Sequence, residues 1–284
     1  MIVARTADEV AAAIAGPITF VPTMGALHEG HASLIRLAAA TGAEVVVSDF
    51  VNPAQFGPGE DFERYPRDLA GDAAIAEAAG ATVLYAPAVT EVYPDGFATT
   101  VDPGPLADEL CGARRPGHFA GVATVVTRLY GLIGPTRAIF GRKDYQQFVL
   151  MQKVARDLAL GVEVIGAPTV REPDGLALSS RNRYLSPSER RSAAQLPAAL
   201  RRLARAYAAG ERAEPLLLQA AAPDGLELEY LALRATDLTA YEPAAPAVAL
   251  IAGRVGSTRL IDNIELDPAA PDAAATLLDT KDPA

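Results

Sequence analysis

The sequence is short of several residue types. It has one cysteine, no tryptophan, three histidines and three lysines in 284 residues. A single thiol cannot close an internal disulfide, which excludes a small secreted fold stapled by bridges. No run reaches the roughly 18 apolar residues of a membrane span, and Arg128 interrupts the best candidate. The first residues have no basic flank leading into an apolar stretch, so no secretory signal is expected and a cytoplasmic location is. With 35 Asp+Glu against 25 Lys+Arg the formal net charge is −10. That argues against a nucleic-acid partner, whose phosphates call for surplus Lys and Arg.

What is present is globular: 50% of residues are apolar and 21% charged, enough for one large domain or two smaller ones. The basic residues are almost all arginine, so Lys143, Lys153 and Lys281 stand out. Between Cys111 and Leu185 basic residues outnumber acidic ones by 11 to 5, a cationic stretch inside an acidic chain. The histidines, His28, His31 and His118, all sit in short glycine-containing segments, where functional loops are expected.

Short β-branched runs alternate with longer Ala- and Leu-rich periodic stretches through the first two-thirds of the chain. Strands are expected over residues 18–22, 44–51, 82–85, 137–140 and 162–165, and helices over 30–40, 69–80, 120–134 and 144–160. This is the pattern of an α/β fold, a Rossmann-like parallel sheet with helices on both faces and ligand-binding loops along one edge. After Thr169 the texture changes. A polar loop over 171–182 leads to Ser186-Pro-Ser-Glu189, a helix start with Ser186 as N-cap and Pro187 at the first position. A long helix to about Gly210, a second over 211–222, and strands over 226–233, 247–252 and 258–264 give a smaller C-terminal α+β domain. The expected division is 1–169, 170–266 and a disordered tail over 267–284, rich in Ala, Pro and Asp.

Pro22-Thr-Met24-Gly25-Ala-Leu-His28-Glu-Gly30-His31 follows the first of these strands and opens the first helix. Glycine lets the backbone come close to a ligand, and helix N-terminal amides favour phosphate. Histidines three apart share a face of the first turn, and with an ordinary pKa near ~6.5 they can supply a proton or a positive charge. Two surface histidines on a plain strand–loop–helix are the bland alternative; a metal pair is disfavoured by the spacing. Gly141-Arg-Lys143-Asp144 also ends a strand and opens a helix, where a lysine acts as a point charge on phosphates. Ser179-Ser180-Arg181 offers two hydroxyls and a guanidinium on a polar loop, or else a capped turn.

The first segment resembles the His-x-Gly-His signature of the nucleotidylyltransferase and class I synthetase superfamily. Phe50-Val-Asn-Pro-Ala-Gln55-Phe, Tyr65-Pro-Arg67, Arg115-Pro-Gly-His118-Phe, Phe140-Gly-Arg-Lys143-Asp-Tyr-Gln-Gln147 and the segment from Arg171 to Asn182 follow in order, with Ser257-Thr-Arg-Leu-Ile-Asp-Asn263 near the end. Together they make the chain similar to the pantothenate synthetases, the pantoate–β-alanine ligases.

The resemblance implies ATP as a substrate, held by Met24, Gly25, His28, Gly30 and His31, by Gly141, Lys143 and Asp144, and by Val170, Leu178 and the Ser179–Ser180–Arg181 group. It implies pantoate on Gln55 and Gln147 with Met24 and Phe50 as an apolar wall, and β-alanine near Gln55, Tyr65 and His118. It places His31, His28, Lys143 and Arg181 as the catalytic set, Asp72 beside Mg²⁺ and the phosphates, residues 170–266 as a lid, and a homodimer through the N-terminal domain. One residue departs from the pattern: Asp49 stands where the family usually has isoleucine, and a charge in a covered strand is costly unless paired or at the mouth of the sheet.

The implied reaction joins (R)-pantoate to β-alanine through a pantoyl adenylate. A nucleotidylyltransferase acting on a phosphate-bearing acceptor is one alternative; it would need cations where this chain has Gln55 and Gln147. A nucleotide-binding module without turnover is the other.

Overall fold

The computed structural model describes residues 1–60, 62–223 and 226–278, the last four by backbone only. The chain forms two compact units, one made of Met1–Arg142 and Gln146–Pro168, the other of Lys143–Tyr145 and Thr169–Ala284.

The first unit runs β1 (Ile2–Ala4), α1 (Ala7–Ala13), β2 (Ile18–Thr23), α2 (Glu29–Ala39), β3 (Glu44–Asp49), α3 (Leu69–Ala79), β4 (Val83–Tyr85), α4 (Val89–Val92), α5 (Cys111–Arg114), α6 (His118–Ile133), β5 (Arg137–Gly141), most of α7 (Tyr145–Asp157) and β6 (Glu163–Ala167). Its six strands are all parallel, in the order β1-β4-β3-β2-β5-β6. The fully covered strands read as continuous apolar runs because both faces are packed. Val45 and Val47 of β3 join Leu34, Ile35 and Ala76 of α2 and α3 in one cluster. On β2, Phe20 meets Tyr130 of α6 edge to face, with ring centroids 6.2 Å apart.

From β2 the chain steps outward to β3 and β4, then returns to lay β5 and β6 on the other side. The crevice outside the carboxyl ends of β2 and β5 is therefore a topological switch point, where open α/β sheets bind ligands. The segments ending in His31 and beginning at Gly141 leave from these two strand ends.

The second unit is built on an antiparallel sheet, β7 (Glu227–Ala235), β8 (Ala247–Val255) and β9 (Thr258–Leu266), in that order. It also contains α8 (Pro187–Ala193), α9 (Gln195–Ala208), α10 (Glu214–Ala221) and α11 (Pro271–Leu278). Leu196, Leu200, Leu203 and Tyr207 of α9 share a fully buried cluster with Leu233, Ala249 and Ile251 of the sheet.

Several expectations need correction. The long helix expected to run to about Gly210 is two, α8 and α9, meeting at Ala194; Pro197 has no amide to continue the first ladder and is accommodated in the first turn of the second. The tail is not structureless over 271–278: it forms α11, with Ala274 buried in the α9 cluster. The remaining tail, 279–284, lies outside the described residues. Lys143–Tyr145 fall in the second unit because Asn263 Nδ2 donates to the Lys143 carbonyl at 2.9 Å and the Tyr145 hydroxyl donates to the Thr236 carbonyl at 3.1 Å. Strand β1 and helix α1 are additions to the expected elements; a three-residue edge strand shows only when β4 pairs with it.

Candidate active site

The turn after β2 is left-handed twice over, Gly25 at φ 76° and Ala26 at φ 52°. A β-carbon at Gly25 would collide with Asp49 Oδ1, so glycine is required by space as well as by backbone. Ala26 has no such licence, and a strained residue persists only where its surroundings hold it. Asp72, in the first turn of α3, does so: its Oδ2 accepts the Ala26 amide at 2.8 Å and its Oδ1 the Leu27 amide at 2.6 Å.

His28 is the N-cap of α2. Its Nδ1 accepts the Gly30 amide at 3.1 Å, and His31 Nδ1 accepts the His28 amide at 3.3 Å, a capping box made of two imidazoles. A ring nitrogen that accepts carries no hydrogen, so each neutral ring bears its proton on Nε2. The two rings lie 4.1 Å apart. The result is a pair of N–H donors beside the positive end of a helix, an arrangement suited to anionic phosphate.

Asp49, at the end of β3, bridges back to Met24. Burial, the charge of Asp72 and a hydrogen bond to it push the Asp49 carboxyl up to about 6, against the pull of Arg5. The departure seen in the sequence is thus a carboxyl pair at the mouth of the sheet. Asp72 does not suit a magnesium ion. It is 2% exposed and both its oxygens accept backbone amides, whereas Mg²⁺ keeps several waters and takes open carboxylates. Among the described residues no group of three or more His, Cys, Asp or Glu could hold a metal.

Gln55 closes a short 3-10 turn, Pro53–Gln55, capped by Asn52. The Gln55 amide lies 3.0 Å from Met24 Sδ, and its Oε1 accepts from Asn52 Nδ2 at 3.0 Å. Met24 and Gln55, expected on one substrate, are therefore neighbours, with buried Phe50 at the end of the same strand-to-turn segment. Asn52 is a residue that sequence reasoning missed. It also donates to the Gly121 carbonyl at 3.2 Å and accepts from the Tyr93 hydroxyl at 2.7 Å. Gly121 lets α6 approach, since a β-carbon there would strike the Ala54 carbonyl. An Asn-Pro pair opening a turn was the available signal. Tyr65 stacks edge-on near Phe56, centroids 6.0 Å apart. Gln147 is half-buried on α7, while its neighbour Gln146 is structural, its amide donating to the Leu106 and Glu109 carbonyls. Gly141, at the end of β5, lies against Leu34 of α2.

In the second unit, Lys143 is 22% exposed and 3.6 Å from Asp144. The polar loop over 171–182 is tied at both ends. Arg171 makes a two-pronged bond to Asp262 at 2.7 and 2.9 Å, and Asp262 is fully buried on β9. Asn182 donates to Glu172 at 2.5 Å, and Arg190 of α8 bridges Glu172 and Asp174. Within this loop the Leu178 amide donates to the Val170 carbonyl at 2.9 Å, and Ser179 caps the turn Ser180–Tyr184, accepting the Arg181 amide at 3.3 Å. Asp262 and Asn263 thus brace the segments that carry Ser179 and Lys143; their motif is legible in the sequence, their task is not.

The model of the family "Pantoate-beta-alanine ligase" matches residues 3–265 of this chain. The chain belongs to the pantoate–β-alanine ligase family. It is 52% identical over 258 residues to the pantothenate synthetase of Mycolicibacterium smegmatis, covering 89% of this chain and 82% of that protein. Among solved structures, a pantothenate synthetase of Thermus thermophilus superposes with a TM-score of 0.90 at 48% identity, covering 94% of this chain and 100% of that one. The ligase of Francisella tularensis, complexed with β-γ ATP and β-alanine, has a TM-score of 0.74 at 32% identity, covering 93% of this chain and 97% of that one. The ligase fold, a parallel six-stranded sheet with helices plus a small three-stranded antiparallel sheet, is the one expected from the sequence. Among the described residues no helix is long and apolar enough to cross a membrane.

Proposed function

We propose that this chain condenses (R)-pantoate with β-alanine, using ATP and releasing AMP and pyrophosphate, through a pantoyl adenylate. The observation that carries the reading is the imidazole pair capping α2, two Nε2–H donors at a helix N-terminus, in a chain matched to the ligase family from residue 3 to 265.

In the first step a pantoate carboxylate oxygen attacks the α-phosphorus of ATP, and the bond to pyrophosphate breaks. No covalent protein nucleophile is needed; the task is positioning and neutralising charge. His28 and His31 donate to phosphate oxygens with the amides near Gly25 and Gly30, His31 being the principal donor. Lys143 contributes a point charge, with Gly141 and Asp144 beside it. Ser179, Ser180 and Arg181 serve the triphosphate from the loop framed by Val170 and Leu178. Gln55 and Gln147 hold pantoate without adding charge, and Met24 and Phe50 supply the apolar wall. In the second step the β-alanine amine attacks the acyl carbon, AMP leaves with the bonding pair, and the nitrogen loses a proton. Tyr65 and the His118 segment belong to that substrate's side, with Gln55, whose carbonyl lies 2.8 Å from His118 Nδ1, bordering both substrates.

Mg²⁺ enters this reading only as an ion accompanying ATP, since Asp72 is committed to the backbone. A lid role for residues 170–266, a homodimer through the first unit and a cytoplasmic location complete it. The deciding experiment is pantoate-dependent exchange of labelled pyrophosphate into ATP without β-alanine. Exchange is expected; none from folded protein supplied with Mg²⁺, together with no β-alanine-dependent AMP release, would sink the adenylate route.

A further inference from the structure

Arg115 lies between α5 and α6 and joins three segments of the first unit. Its Nε and Nη2 donate to the two carboxylate oxygens of Glu60 at 2.7 and 2.5 Å, its Nη1 lies 2.9 Å from His118 Nε2, and its Nη2 reaches the Gln55 carbonyl at 3.4 Å. The pair is shielded, with Arg115 17% and Glu60 26% exposed. A guanidinium has only hydrogens to offer, so His118 Nε2 must accept. The hydrogen of the neutral ring is then on Nδ1, which lies 2.8 Å from the Gln55 carbonyl and donates to it. This is the opposite tautomer to that of His28 and His31, whose Nδ1 atoms accept.

We infer that Arg115 is a positioning residue: held by Glu60, it locks His118 as the Nδ1–H tautomer, and His118 in turn fixes the backbone of Gln55 for the acid substrate. Asn52 fixes the Gln55 side chain from the other direction, so both the backbone and the side chain of that residue are set. The Glu60 carboxylate, held below its usual range by Arg115 against the cost of burial, keeps the guanidinium neutralised as an ion pair. His118 then acts on substrate through Gln55, with both ring nitrogens engaged by protein. The substrate half of this inference rests on the proposed role of Gln55 toward pantoate; the tautomer half does not.

Two measurements on the full chain test it. Long-range ¹H–¹⁵N spectra of the three imidazoles should show one ring protonated on Nδ1 and two on Nε2, the Nδ1–H set vanishing in His118→Asn. A His118 signal of the Nε2–H or doubly protonated type overturns the lock. In pyrophosphate exchange, Arg115→Lys and His118→Gln should raise the KM for pantoate by about tenfold, the scale of one well-placed hydrogen bond, with the KM for ATP unchanged. His118→Asn, whose amide can replace Nδ1–H, should recover much of the pantoate affinity and make Arg115→Lys nearly silent when combined with it. Equal losses in both KM values, or no difference between Asn and Gln at 118, overturn the positioning role. Absence of exchange in the unaltered protein would instead reject the functional reading, while the spectra still decide the tautomer.

Discussion

Asp49 and Asp72 place their carboxyl groups side by side beneath Gly25, close enough to share a proton. Asp72 carries the turn that leads to His28, so whatever disturbs Asp72 disturbs the histidine pair. Asp49 is the group that can do so.

Burial and Asp72 raise the Asp49 carboxyl to about 6, whereas an unfolded chain loses that proton near ~3.9. Between these values the folded protein holds a proton that the unfolded one has released. Stability therefore falls as pH rises through that window, and the deficit persists above it. Asp49→Asn, which cannot ionise, should be more stable than the unaltered protein at pH 8 by on the order of 1–2 kcal/mol, allowing for partial exposure. At about pH 4.5 the gap should narrow, and it should close only below ~3.9, where the unfolded chain holds the proton as well; denaturant midpoints across this range check it.

Asp72→Asn keeps the shape but has one acceptor oxygen, so one of the two backbone amides is left facing an NH2 group. A lost charge-assisted bond costs about 1.5–3 kcal/mol, so a lower melting temperature and a raised KM for ATP are expected. The dependence of rate on free Mg²⁺ should not move. A shift in the Mg²⁺ half-saturation would return Asp72 to the metal.

Lys143→Ala should lower pyrophosphate exchange by roughly a hundredfold or more, as expected for a group that neutralises charge in the transition state, with little change in melting. Its backbone, not its side chain, carries the bond to Asn263. His31→Ala loses part of the α2 cap as well, so it should combine a similar rate loss with about 1 kcal/mol of destabilisation. Melting curves beside exchange rates separate the two effects.

Asp262→Ala removes one partner of a buried ion pair and leaves Arg171 uncompensated, a loss of about 3–5 kcal/mol. The same change should weaken ATP binding through the loop that carries Ser179, Ser180 and Arg181. A combined Arg171→Met and Asp262→Leu change should recover much of the stability; if binding returned with it, the bracing role of the pair would be refuted.

Local pattern was enough for most of the architecture. Apolar runs of four to eight residues marked the covered strands, Ser186 and Glu189 marked a helix start that forms the capping box they predict, and six ordered motifs marked the family. Short edge elements such as β1 escaped, because their stability comes from a partner about 80 residues away and not from their own three residues.

The site divides in the same way. Residue types and spacing singled out His28 and His31, whereas Gln55 and the role of His118 came from the resemblance of their motifs to the family. Which nitrogen of His118 carries the hydrogen, why Asp49 is tolerated, and why Asp72 is closed to a metal depended on tertiary neighbours. A proton's position and a carboxylate's charge are set by groups a few ångströms away, from α3, the residue-115 segment and the Gln55 turn, and these are brought together only by folding. The scarcity that first drew attention, three histidines in all, turned out to hold two opposite tautomers, a distinction no linear pattern encodes.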